Sequence, residues 1–254
     1  MVSLKKFKRI LILSGGISEE RDVSQSSADH VYQTIKNEAT TKILDVSDNA
    51  EQLLMNIQKF NPDVIFNCLH GYFGEDGQIQ SILNYLKIPY THSGVLTSAI
   101  LMNKIISKKL FQSLGIRSPE FLSEYNINNK KLKFPLIIKP VNGGSSYGLI
   151  KVNNKESLIK YLNKKKIKKC EMLIEEFIFG RELTVGILEN KICGVMEIKF
   201  SEELYDYNNK YINIAEHIIS PKLPKKIEKE LIENSLKVHS SLSCNCISRL
   251  DFRY

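Results

Sequence analysis

The sequence predicts a mixed α/β and α+β chain, a doubly wound parallel sheet at the N-terminus followed by a strand-rich antiparallel part. Three observations predict it. The apolar run Arg9-Ile10-Leu11-Ile12-Leu13-Ser14 breaks at Gly15-Gly16 and leads into a helical pattern, the strand, turn and helix that open an α/β sheet. Strand and helix patterns then alternate to about residue 90. From about Pro119 onward, antiparallel strand patterns dominate. Two of them flank Lys139-Pro140-Val141-Asn142-Gly143-Gly144-Ser145-Ser146-Tyr147-Gly148. Glycines let backbone N–H groups turn toward an anion, serine hydroxyls add donors and a lysine adds a point charge, so this stretch can hold phosphate. The spacing is not GxxxxGK[ST], and residues 149–152 read as a strand rather than a helix. A hairpin that clamps phosphate and an ordinary β-turn both remain open.

Taken in order, residues 9–14 read as a strand covered on both faces. The turn Ile17-Ser18-Glu19-Glu20-Arg21-Asp22 starts a helix that runs to about Lys36. Its three carboxylates would repel a pyrophosphate and the GxGxxG spacing is absent, so the turn is expected to receive a cation, with Glu20 as an ammonium ligand. A solvated acidic helix start, favoured by the helix dipole, is the competing reading. A strand over 42–46, a helix over 51–60 and a strand over 64–69 follow. The last delivers His70-Gly71 to the loop 72–77, outside the carboxyl end of a parallel strand, where open α/β sheets bind ligands. His70 is therefore either a site residue or a structural histidine. Residues 78–86 read as a helix and 88–90 as a short strand. Over 97–114, Ile100, Leu101, Ile105, Leu110, Phe111 and Leu114 recur at helical spacing up to Gly115, which predicts one helix with Lys104 in its middle. There the lysine is solvated or faces a phosphate.

Strands over 135–139 and 149–152 flank the glycine loop, 154–166 reads as a helix, and 172–178 as a strand carrying the paired carboxylates Glu175 and Glu176. Residues 182–188 and 192–200 pair about a turn at Glu189-Asn190. Tyr205-Asp206-Tyr207-Asn208-Asn209-Lys210-Tyr211 is too polar for a core strand; it has the composition of a lid over a small ligand, or of an ordinary surface loop. A helix over 224–242 begins with a proline in its first turn. Residues 246–252 alternate, with Ser248, Leu250 and Phe252 on one face and Arg249 and Asp251 on the other. That pair suits an anion site and a divalent metal, or a surface ion pair.

With 43% hydrophobic and 25% charged residues in 254, the chain is ordinary globular material with room for more than one domain. Its net charge of +8 is spread, and the block Lys164-Lys165-Lys166-Ile167-Lys168-Lys169 reads as a solvated helix end, so nucleic acid is not the expected partner. The balance suits an enzyme that handles polyanions such as nucleotides. Five cysteines, an odd number, argue for a reducing compartment and against a disulfide framework. Cys244 and Cys246 lack partners at metal spacing and are expected to pack on a strand. No apolar run approaches the ~18 residues that span a bilayer, and Met1-Val2-Ser3-Leu4-Lys5-Lys6 leads into a strand, so a cytoplasmic chain without a membrane partner is expected.

Several stretches lie in one order from residue 10 to the end: Gly15-Gly16 with Ser18, Glu20, Arg21, Val23 and Ser24; Leu69-His70-Gly71 before Gly74-Glu75-Asp76-Gly77; Ser93-Gly94-Val95; Met102-Asn103-Lys104; Lys139-Pro140 with Gly144, Ser145, Ser146 and Gly148; Glu182-Leu183-Thr184-Val185; Tyr205-Asp206-Tyr207 to Lys210-Tyr211; and Ser248-Arg249-Leu250-Asp251. Together they resemble the D-alanine–D-alanine ligases of the ATP-grasp superfamily. The resemblance implies a Rossmann-like (pre-ATP-grasp) sheet followed by an ATP-grasp fold, divided into 1–95, 96–180 and 181–254. It also implies a reaction in which ATP phosphorylates the carboxylate of one D-alanine and the amine of a second attacks the acyl phosphate, with Mg2+ or Mn2+ as the metal. Many members are dimers, so the resemblance admits a homodimer.

Carried over residue by residue, Glu20 resembles the carboxylate that binds the first substrate's ammonium, and His70 its neighbour near the substrate carboxylate. Ser145 resembles the hydroxyl that links Glu20 to Tyr211 on the lid. Lys104, Lys139, Ser146 and Lys210 resemble nucleotide ligands, and Glu175, Phe177, Ile178 and Glu182 the adenine and ribose contacts. Arg249 resembles the guanidinium that stabilises the charged intermediate, and Asp251 one carboxylate of the metal site. A tyrosine at the position of Tyr211 accompanies dipeptide formation in this family, and a phenylalanine depsipeptide formation. The departure is at the end. The family continues into a segment that supplies a glutamate and an asparagine as further metal ligands, whereas this chain stops at Phe252-Arg253-Tyr254. The expectation is an incomplete copy with weak ligation, and a sheet edge unpaired where the next strand belongs. The alternative is a nucleotide- or D-alanine-binding protein without turnover.

Overall fold

The computed structural model describes residues 7–122, 132–144, 147–164, 172–200 and 215–254. The chain divides into two units, Met1–Ile100 with Ser243–Ile247, and Leu101–Leu242 with Ser248–Tyr254. In the first, β1 (Arg9–Gly15), β2 (Thr40–Val46) and β3 (Val64–Asn67) form a parallel sheet in the order β2-β1-β3. The unbroken apolar run of β1 follows from its central place, because alternate residues must fill opposite layers. Leu11 and Leu13 pack with Leu53 and Ile57 of α2 (Ala50–Phe60) and with Ile79 and Leu83 of α3 (Gln78–Tyr85). Ile10 and Ile12 pack with Ala28 and Ile35 of α1 (Arg21–Ile35).

The helix expected over 97–114 is two helices, α4 (Val95–Met102) and α5 (Lys104–Ser113). Asn103 between them is extended, and its side chain accepts hydrogen bonds from the backbone N–H groups of Ile105 and Ile106. That is an N-cap, and it satisfies donors that a new helix would otherwise leave bare. Lys104 is thus the first residue of a helix, not a mid-helix lysine. Apolar spacing could not reveal the break, because the cap falls inside a run that stays in phase.

The second unit holds two four-stranded sheets. β4 (Phe121–Leu122), β5 (Leu136–Pro140), β6 (Ile150–Val152) and β7 (Met172–Glu176) lie in the order β4-β7-β5-β6, all antiparallel. The β5–β6 pairing is the expected hairpin about the glycine loop. One face of this sheet packs Leu136, Ile138, Val152 and Ile174 against Leu158 of α6 (Lys155–Lys164). Because side chains alternate, the registers place Lys139, Lys151 and Glu175 on the other face. The second sheet, β8 (Glu182–Leu188), β9 (Lys191–Lys199), β10 (Glu216–Ile219) and β11 (Ile247–Arg253), has the order β10-β9-β8-β11. Its Leu183, Val185 and Val195 pack on Leu231 of α7 (Lys225–Ser241), and Glu182 and Thr184 fall on the opposite face.

Among the described residues there is no disulfide, and no helix is long and apolar enough to cross a membrane. Cys244 and Cys246 do not pack within a strand. Both are half-buried in the turn before β11, where Ser243 and Cys246 take left-handed φ values of 52° and 61°. Burial pushes the Cys244 thiol up, against a hydrogen bond with Ser93 that lowers it.

Candidate functional site

In the first unit the turn after β1 is held by its own side chains. The Arg21 guanidinium donates to the carbonyls of Gly16 (2.9 Å) and Val46 (3.2 Å) and pairs with Asp45, so its charge is matched within the turn. Glu20 caps the start of α1 with its backbone and is 8% exposed. Its amide donates to Ser18 Oγ, and that hydroxyl donates to the carbonyl of His70 at 2.7 Å. A Cβ placed on Gly71 would lie 3.0 Å from Glu20 Oε2. The chain therefore brings Glu20 and His70 together, with Ser18 and Gly71 between them. The His70 ring lies 3.3 Å from Ser27 Oγ. His92 nearby is held below the usual histidine value by burial, and the charge of His70 pushes it the same way.

The loop after β3 uses its acidic residues for structure. Glu75 accepts from the amide of Gly71 (2.7 Å), and Asp76 from those of Phe73 (2.9 Å) and Gln78 (3.1 Å). Asn67 and Gln80, both buried, donate to the carbonyl of Gly74. The acidic character of this loop is thus absorbed by backbone donors. Glu20 remains as a buried carboxylate beside the turn.

In the second unit Lys104 sits at the N-terminus of α5 and reaches the glycine loop. Its backbone N–H donates to the carbonyl of Val141 (3.0 Å) and its ammonium to that of Gly143 (2.6 Å). A helix N-terminus, a lysine and a glycine loop in contact are an arrangement that can draw an anion by dipole and charge. Behind the loop, the Glu175 carboxylate is shared by Lys139 on the adjacent strand and Lys108 on α5, the latter at 2.7 Å. Lys108 was not singled out from the sequence. Burial holds its ammonium below the usual lysine value, and the Glu175 charge opposes that shift. The clue was its spacing, one helical turn beyond Lys104 on the same face.

The charged faces of the two sheets meet at Phe177, which follows β7. The Lys151 ammonium lies 4.5 Å from its ring centroid and the Arg253 guanidinium 5.7 Å. A cavity of about 300 Å³ opens here, lined by Phe177, Phe179, Glu182, Phe200 and Arg253. Ile178, half-buried, lies in the connection to β8. Arg253 is the second residue missed, although it follows Asp251 by two on the same strand face.

Arg249 and Asp251 are neighbours on β11, 3.1 Å apart, and Asp251 also accepts from Thr184 Oγ1 at 2.7 Å. Among the described residues no group of three His, Cys, Asp or Glu side chains could hold a metal. Magnesium is commonly held by one or two carboxylates together with phosphate oxygens and water. Asp251 fits that pattern as one ligand in the company of a bound polyphosphate. Ser145, Ser146, Lys210 and Tyr211 lie outside the described residues.

Comparison with known proteins matches both units. A family model described as D-ala D-ala ligase C-terminus matches residues 111–254, and one described as D-ala D-ala ligase N-terminus matches residues 44–93. A D-alanine–D-alanine ligase of Wolbachia pipientis wMel is 40% identical over 251 residues, covering 96% of this chain and 79% of that protein. One from Pelagibacter ubique is 42% identical over 260 residues, covering 97% and 84%. The solved D-alanine–D-alanine ligase of Bacillus anthracis aligns with a TM-score of 0.81 and 32% identity over 97% of this chain and 83% of that one. Its complex with ATP aligns at 0.80 and 29%, over 97% and 82%. The parallel sheet followed by two antiparallel sheets is the ATP-grasp arrangement of these ligases, and the chain belongs to the D-alanine–D-alanine ligase family.

Proposed function

We propose that the chain catalyses the ATP-dependent joining of two D-alanine molecules to D-alanyl-D-alanine through an acyl phosphate, for peptidoglycan precursor synthesis. What carries this reading is similarity along nearly the whole chain to relatives named for that ligation. The chemistry explains why two sites are required. A carboxylate is a poor acceptor for an amine, so one oxygen must first become phosphate, and both substrates must be held in attacking geometry.

In this reading Glu20 receives the ammonium of the first D-alanine, and its burial supports the role because a buried charge is little screened. His70 lies on the side of the substrate carboxylate. Lys104 and Lys139, with Ser146 and Lys210, hold the ATP phosphates. Phe177, Ile178 and Glu175 take the adenine, and Glu182 the ribose. Arg249 offsets the charge that develops on the tetrahedral intermediate. Ser145 and Tyr211 order the loop and lid, and a tyrosine at 211 favours dipeptide over depsipeptide. Magnesium or manganese would be held in part by Asp251 and would supply charge neutralisation on the triphosphate. A cytoplasmic location suits a chain with free thiols.

The test is phosphate release from ATP by the purified chain. D-alanine should stimulate it and L-alanine should not. Equal stimulation by the two enantiomers would overturn the assignment.

A further inference from the structure

Arg253 is a cationic side chain of the cavity wall to which neither the sequence nor the reaction assigns a role, and its contacts converge on one neighbour. Its Nε lies 2.9 Å from Glu182 Oε2, with both side chains about four-fifths buried (20% and 18% exposed). Its Nη1 donates to the carbonyl of Gly180 at 3.1 Å, in the turn that leads into Glu182. The guanidinium carbon stands 5.7 Å from the ring centroids of both Phe177 and Phe200. The backbone adds a further tie, since Arg181 and Tyr254 exchange reciprocal hydrogen bonds one position away on the paired strands. Arg253 is thus fixed by two aromatic rings and a backbone carbonyl, and it presents one edge to a single carboxylate oxygen.

We infer that Arg253 is a positioning residue that orients the Glu182 carboxylate toward the ribose hydroxyls of the nucleotide, and so makes the site selective for ribonucleotides over their 2′-deoxy counterparts. This rests on the reading of Glu182 as the ribose contact. A glutamate side chain has three rotatable bonds, and a carboxylate left to solvent would have to be ordered at each binding event. A guanidinium that holds one oxygen removes that ordering cost beforehand. A carboxylate held in this way is an acceptor for hydroxyl donors, and the contact with the guanidinium is charge-assisted. The rings hold the arginine in turn, because a guanidinium is weakly hydrated and stacks on aromatic faces.

The experiment is calorimetric titration of the full chain with ATP and, separately, with 2′-deoxy-ATP. Four proteins are compared: the unsubstituted chain, Arg253→Met, Glu182→Gln and the double variant. Methionine keeps the stem that packs between the rings and removes the charge. The unsubstituted chain should prefer ATP. Arg253→Met should weaken ATP roughly tenfold, the size of one charge-assisted hydrogen bond, and move 2′-deoxy-ATP far less. Glu182→Gln should do the same, and the double variant should be little worse than either single one, since the two residues act as a unit. If Glu182→Gln abolishes the preference and Arg253→Met keeps it, Glu182 is the ribose contact and Arg253 does not position it. The positioning role also fails if Arg253→Met weakens both nucleotides equally. If the unsubstituted chain binds no ATP or shows no preference, or if Glu182→Gln keeps the preference, the ribose assignment fails and takes the positioning role with it. Should Arg253→Met not fold, Arg253→Lys is read instead: it keeps the charge, loses the fixed fork and should still narrow the preference, whereas an unchanged preference overturns the proposal.

Discussion

The loop after β3 and the glycine loop after β5 are built in opposite ways. In the first unit, the loop after β3 is closed by its own polar groups and by steric fit. Glu75 and Asp76 accept from loop amides, and a Cβ on Gly74 would lie 2.5 Å from Leu69 Cβ and 2.8 Å from the Leu69 carbonyl carbon. In the second unit, Gly143 has φ +105° and none of the described residues within 4 Å of where a Cβ would be, and the loop is tied by Lys104 and Met102 from outside it. Behind it, a buried carboxylate holds two lysines. The difference suits the two cargoes of the proposed reaction. A small amino acid needs a fixed shape, whereas a polyphosphate needs positive charge and exposed backbone donors.

The sharpest way to break this contrast is at Glu175. Its side chain is 7% exposed and Lys108 is 8% exposed, so removing the carboxylate leaves a buried ammonium uncompensated. Glu175→Gln should cost about 3–5 kcal/mol in thermal or denaturant unfolding, and Lys108→Met combined with Glu175→Leu should recover much of that loss. A cost below about 1 kcal/mol for Glu175→Gln, the range of a surface pair, would mean that the ion pair does not hold this side together.

Two glycine substitutions probe the loops directly. Gly74→Ala must push Leu69 and its backbone aside, which calls for about 2–3 kcal/mol. Gly143→Ala meets no atom of the described residues within 4 Å, so its cost is that of the left-handed backbone, roughly 1–2 kcal/mol. Thermal shifts of the two variants side by side decide the matter, and equal losses would erase the distinction between a packed and an open loop.

Most of the parallel sheet was legible because β1 is central and its apolar run has no other solution. Glu20 and His70 could be singled out for a related reason: each lies in the connection that follows a parallel strand, where open α/β sheets bind ligands. What escaped was set by partners distant in sequence. Strand β4 has two residues, and β10 reads as exposed Glu216-His217-Ile218-Ile219, so neither carries a periodic signal. The break at Asn103 was hidden by apolar residues in phase on both sides. Lys108 looks solvated until Glu175 is placed beside it, and Arg253 looks like a chain end until Glu182 and Phe177 define its surroundings. Charges acquire roles from tertiary neighbours, and a single sequence does not show those.

The smallest expected effect compares the units through two histidines, His239 buried and His92 half-buried. His239 on α7 is 2% exposed, and its Nδ1 lies 2.7 Å from Ser248 Oγ on β11. Burial holds its ring below the ordinary value of 6.5, as it does for His92 in the first unit. The sign follows from linkage. Above 6.5 both folded and unfolded rings are neutral and pH has no effect through them. Below it the unfolded chain binds a proton that the folded chain refuses, so stability falls with acid until the depressed folded value is passed. One such group gives a slope of at most about 1.4 kcal/mol per pH unit. His239→Asn retains a polar group near the Nδ1 position and cannot charge, so thermal unfolding of that variant should lose part of the acid slope. His92→Asn, which also tolerates the left-handed φ of 77°, should remove a separate part. An acid slope unchanged in both variants would show that neither ring is held neutral by its packing, and any acid dependence would then have to come from carboxylates such as Glu197, held low by its hydrogen bond with Arg181.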